Sequence, residues 1–139
     1  MEIISELEEE FAARRLANGL GRLRLKTLAK IYLLDEAKLG PDFILGRSGN
    51  RIYFFPNHSI VEVSGLETQH STQETLSGIL SSQRQPVKLV VGSGVESHSA
   101  WLLNVEGPWM RVAGPEGVLW IPIFRLLLAE TDFVVTESK

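Results

Sequence analysis

The sequence predicts a mainly β protein with an N-terminal α-helix and a short connecting helix, its strands built either as tandem small barrels or as pseudo-symmetric, strongly bent sheets. Three observations carry this reading. Short β-branched and aromatic runs alternate with Gly, Pro and Asn turns from Phe43 onward. One order of features (Gly-Pro, turn, aromatic strand, proline, terminal apolar strand) occurs twice. Only residues 2–20 and 76–80 carry apolar side chains at helical spacing.

The first element is the helix. Ile3, Ile4, Leu7, Phe11 and Leu16 form one apolar stripe, and Ser5 with Glu8 fits a capping box. Glu8, Glu9 and Glu10 lie toward its start and Arg14 and Arg15 toward its end, the order that favours the helix dipole. Asn18-Gly19 supplies a stop, and the stripe must cover either the chain's own sheets or a partner. Lys30 to Asp35 reads as a strand, followed by Phe43-Ile44-Leu45, the turn Ser48-Gly49-Asn50, the strand Arg51 to Phe55 and the strand Ile60 to Val63. A polar connector follows, with Ser71-Thr72-Gln73-Glu74 as a second capping-box pattern before Leu76, Ile79 and Leu80. Strands resume at Val87–Val91, Val95–Val105, Trp109–Ala113, Val118–Ile121 and Leu126–Leu128, with Pro115-Glu116-Gly117 as a hairpin turn.

The duplication aligns Gly40-Pro41-Asp42-Phe43 with Gly107-Pro108-Trp109-Met110. Gly40 to Pro56 spans 16 positions and Gly107 to Pro122 spans 15, a difference that fits a longer turn in the first repeat. The expected division is therefore residues 1–22 as an amphipathic helix, 23–66 as a first and shorter β motif, 67–85 as a connector with a short helix, 86–130 as a second β motif and 131–139 as a tail. The first motif lacks a clear opening strand unless Leu23-Arg24-Leu25 provides it.

Composition narrows the function classes. The formal net charge is −3, from 14 basic and 17 acidic residues, which argues against gripping nucleic acid over a broad face. There is no cysteine, so disulfides, thiolate zinc sites and thiol nucleophiles are absent. The acidic start Met1 to Glu6 does not resemble a secretory signal, and no run reaches the roughly 18 apolar residues of a membrane span, so a cytoplasmic protein without membrane contact is expected. His58, His70 and His98 show no metal-ligand spacing, no G-x-S-x-G elbow occurs, and the glycine-rich pieces lack a phosphate-loop lysine. No enzyme activity and no cofactor are expected. Trp101, Trp109, Trp120, Tyr53, Phe54 and Phe55 lie in apolar strands and read as core, with a base-stacking platform as the alternative.

The second motif resembles the Sm-like (Hfq and LSm-type) small β-barrel. The resemblance rests on the run Val87 to Val112, with Gly92 or Gly94 at its turn and Ala100 where a long strand bends, and on Asn57-His58-Ser59-Ile60 in the first motif. The family's base-reading asparagine has no match in Glu106-Gly107-Pro108-Trp109-Met110. The resemblance implies tandem barrels and a homo-oligomer or a protein partner, hence a non-enzymatic binding or assembly module. The second reading is an RNA- or DNA-binding regulator that uses His58 and Asn57, as the resemblance implies, with Arg47, Arg51 and Arg111 as a basic patch around the barrel mouth.

Overall fold

A computed structural model describes residues 23–65, 71–93 and 96–132. The predicted helix over residues 1–22 lies outside these, as does most of the 131–139 tail. The first repeat holds β1 (Leu23–Thr27), β2 (Ile31–Leu34), β3 (Glu36–Leu39), β4 (Phe43–Ser48), β5 (Arg51–Pro56), a 3-10 turn (Asn57–Ser59) and β6 (Ile60–Ser64). A short helix α1 (Leu76–Ser81) leads to the second repeat: β7 (Lys88–Ser93), β8 (Glu96–Glu106), β9 (Trp109–Gly114), β10 (Gly117–Pro122), a 3-10 turn (Ile123–Arg125) and β11 (Leu126–Asp132).

Two antiparallel sheets result. One has the order β2-β1-β6 and the other β10-β9-β8-β7-β11-β5-β4-β3. The expectation of tandem Sm-like barrels is overturned, because the described strands close no barrel and the larger sheet runs through both repeats. The pairing of the last strand of each repeat decides this. Pro56 and Pro122 end β5 and β10 in nearly identical conformations, with φ −61° and −62° and ψ 142° at both. A 3-10 turn follows each and carries the next strand away from its predecessor. β11 then pairs with β7 on one side and with β5 of the first repeat on the other. α1 is the sole helix of regular α geometry among the described residues. Thr75, rather than the expected Ser71–Glu74 box, caps it by accepting a hydrogen bond from the Gly78 amide at 3.1 Å. The Asp42 carboxylate accepts one from the Leu76 amide at 2.8 Å, seating the helix on the first repeat.

The duplication is visible in the pairing itself. β4, β5, the 3-10 turn and β6 start at 43, 51, 57 and 60, and their counterparts start at 109, 117, 123 and 126, a constant shift of 66. Both hairpin loops hold two residues, closed by Ser48–Arg51 and Gly114–Gly117. The extra residue of the first repeat therefore lies before β4, where residues 40–42 stand against 107–108, and not in the Gly49 turn. Even an irregularity repeats. β6 skips Val61 in its pairing with β1, and β11 skips Leu127, the residue 66 positions on, in its pairing with β7. β1 supplies the first repeat's opening strand, with Arg24 and Leu25 in the places of Lys88 and Leu89.

Two cores flank β4 and β5. Ile44 and Phe55 point one way and join Leu25, Leu34 and Ala37. Phe43 and Phe54 point the other way and join Leu76 and Leu80 of α1 with Leu89, Val91, Met110, Val112, Leu126 and Ala129 of the second repeat. Adjacent residues of a strand face opposite sides, so the pairs Phe43-Ile44 and Phe54-Phe55 are apolar because both faces are covered. The first repeat's outer face is thus part of the second repeat's core.

Candidate interaction surface

Among the described residues the outer face of the second repeat has no such cover. β10 is an end strand of the eight-stranded sheet, and all of Gly117–Trp120 is exposed. Its register with β9, and that of β9 with β8, builds three rows on the outer face. Glu106, Trp109 and Pro122 lie opposite one another; Asn104, Arg111 and Trp120 form the next row; Trp101, Ala113 and Val118 form the third. Trp101, Trp109 and Trp120 are 51%, 46% and 49% exposed, and Val118 is 53% exposed. Glu106, Trp109 and Trp120 line a shallow cleft on this face. Phe124, on the 3-10 turn after β10, is 67% exposed. On this face Trp109, Trp120, Trp101 and Val118 surround Arg111, with Asn104 and Glu106 along β8, so that large apolar side chains are gathered about a few polar ones, the character of a contact surface rather than of scattered exposed residues.

The reading of the three tryptophans as core is therefore corrected. The signal was present in the alternation. In Trp109-Met110-Arg111-Val112, the arginine shares its face with Trp109, while Met110 and Val112 are both fully buried on the other. An arginine on an apolar strand marks the solvent side, and so the tryptophan two residues away lies on that side too. Tyr53 and Phe55 do fill the first core, where Tyr32, Tyr53 and Phe55 pack with ring centroids 5.0–5.7 Å apart.

The five residues expected to contact nucleic acid are spread over three places. Arg47 donates to the Glu36 carboxylate through Nε at 3.1 Å and Nη2 at 2.6 Å, and to the Gly49 carbonyl at 3.2 Å. Arg51 donates to Glu130 of β11 at 2.9 Å, an ion pair that crosses from one repeat to the other. These two arginines flank the β4–β5 turn. Asn57 and His58 sit at the far end of β5, roughly 20 Å away at strand spacing. The Asn57 amide bonds the Asp42 carbonyl at 3.0 Å, and His58 Nε2 lies 2.6 Å from the Leu126 carbonyl. His58 thus ties the first repeat's 3-10 turn to the start of β11. Arg111 stands on β9, four strand positions from β5, or roughly 19 Å.

Among the described residues no three His, Asp or Glu side chains are grouped to hold a metal ion. No helix of the described residues is long and apolar enough to cross a membrane. The phenol of Tyr32 titrates above its ordinary value, chiefly because burial disfavours the phenolate, with Tyr53 and Glu130 adding to the effect. Tyr32 lies in the first core, away from the β8–β10 face. Comparison with protein-family models, with curated proteins and with solved structures finds no match, and nothing in it identifies an Sm-like fold.

Proposed function

We propose that this chain is a non-enzymatic assembly module that works through protein–protein contact, including contact with further copies of itself. The observation that carries the reading is β10: an end strand whose Val118, Leu119 and Trp120 are 53%, 44% and 49% exposed beside Trp109 and Phe124. An end strand presents unpaired backbone donors and acceptors, and soluble proteins ordinarily blunt such an edge with charge, proline or a covering segment. From Val118 to Ile121 β10 carries neither charge nor proline, and among the described residues no strand pairs with its outer edge. The placement of the arginines supports contact with protein over contact with nucleic acid, since Arg47 and Arg51 already engage carboxylates and the net charge is −3.

Multi-angle light scattering on the full chain over a wide concentration range tests this. The reading requires a mass that exceeds one chain and rises with concentration. A mass of one chain throughout removes self-association.

A further inference from the structure

The molecule contains a worked example of how its own edges pair. At the internal junction the last strand of the second repeat, β11, lies against the fourth strand of the first, β5, with Ala129 opposite Phe54 and Glu130 opposite Tyr53. The equivalents 66 positions earlier and later are β6 and β10. Among the described residues both are end strands: β6 closes the order β2-β1-β6, and β10 opens the order of the larger sheet. Each chain therefore carries one unused copy of each half of a junction that it already forms once.

The exposure of equivalent residues says the same. Phe43 and Phe54 are 0% and 1% exposed because the second repeat covers them, whereas their counterparts Trp109 and Trp120 are 46% and 49% exposed. His58 sits on the start of β11 through the Leu126 carbonyl, whereas its counterpart Phe124 is 67% exposed. The bare positions of the second repeat are the ones that the junction covers in the first.

Resting on the assembly reading above, the geometry points to a head-to-tail contact in which β6 of one chain adds to β10 of a second copy in the register of the internal junction. Shifting the β11–β5 register by 66 positions sets Val63 of one chain opposite Trp120 of the next, and Ser64 opposite Leu119. Trp109 and Trp120 become covered by the neighbouring chain's first repeat. Phe124 lies against the neighbouring chain near Ile60, an apolar contact where His58 makes a hydrogen bond. The Arg51–Glu130 ion pair has no equivalent, because those positions are Gly117 and Ser64. The contact is heterologous, so it propagates into a closed ring or an open series and not into a two-fold dimer.

The absence of cysteine gives a clean background for the test. Val63→Cys and Trp120→Cys are made in separate full-length chains, mixed under mild oxidation and resolved by mass. Directly opposite residues of an antiparallel pair lie within disulfide reach. The expected result is a mixed covalent dimer, with loss of cross-linking when either variant is oxidised alone. The pair Ser64→Cys and Leu119→Cys, which keeps Trp120, is expected to behave in the same way. Trp120→Cys linking to itself as readily as to Val63→Cys would mean a two-fold contact and overturn the proposal. Multimers by light scattering with neither pair linking would overturn this register while leaving self-association standing. A single-chain mass with no linking removes both.

Discussion

Phe54 and Trp120 occupy the same position of the two repeats, and truncating each to alanine is expected to have different consequences. Phe54 is 1% exposed and packs within the larger core among residues of both repeats and α1. Its removal loses the transfer energy of the ring and leaves a cavity that the second repeat cannot fill, a loss of about 3–5 kcal/mol. Trp120 is 49% exposed. About half of a side chain worth roughly 200 Å² is already covered, which at about 25 cal/mol per Å² bounds the cost near ~2.5 kcal/mol, with no cavity because solvent enters. Phe54→Ala should therefore lower the urea midpoint strongly at every protein concentration. Trp120→Ala should shift it less in dilute samples and weaken association in concentrated ones. Equal destabilisation by the two, with association unchanged by Trp120→Ala, would refute the claim that one face is core and its counterpart is contact surface.

Three further outcomes follow from the geometry. A Cβ on Gly46 would lie 2.6 Å from Cδ1 of Leu34, which is itself fully buried, so Gly46→Val is expected to cost about 1–3 kcal/mol in chemical denaturation even though valine occupies the counterpart, position 112. Because the folded-state pKa of Tyr32 is raised, its contribution to stability is complete below the ordinary phenol value of 10.0 and is lost as pH rises through the folded-state value. Denaturation midpoints should therefore fall in that alkaline window, and less steeply in Tyr32→Phe. Random single-stranded RNA should give no gel shift at low salt, and a retarded band that fades as salt rises would instead favour the nucleic-acid reading.

Much of the strand pattern was legible because punctuation and chemistry coincide. Pro56, Pro122, the Gly49 turn and the Pro115-Glu116 turn bound runs of β-branched and aromatic residues, and the elements fall between them. β1 and β3 were less visible. Leu23-Arg24-Leu25 is too short to separate from a helical spacing, and Glu36-Ala37-Lys38-Leu39 carries two charges because only Ala37 is buried on it. The Gly-Pro alignment called for a longer turn in the first repeat, and the extra residue lies in residues 40–42, between β3 and β4. The barrels failed for a different reason. Whether β11 closes on its own repeat or pairs with β5 depends on contacts 75 residues apart, such as Ala129 with Phe54, which no local pattern reports. The outward face of β9 was legible in Trp109-Met110-Arg111-Val112, where one arginine marks the exposed side. His58 drew notice as a nucleic-acid contact, whereas its partner in the fold is a backbone carbonyl across the junction, which no local pattern reports.

The central claim is that β10 is a contact edge, and a single charge on it gives the most direct test. Val118 is exposed on the outer face and opposite Ala113, so Val118→Lys leaves both cores untouched while placing an ammonium on the edge. Sedimentation velocity of the full chain and of this variant, at matched concentrations, is the measurement. The unsubstituted chain is expected to sediment as a multimer and Val118→Lys as a single chain, with the two denaturation midpoints equal in dilute solution. Identical sedimentation of the two proteins would contradict it.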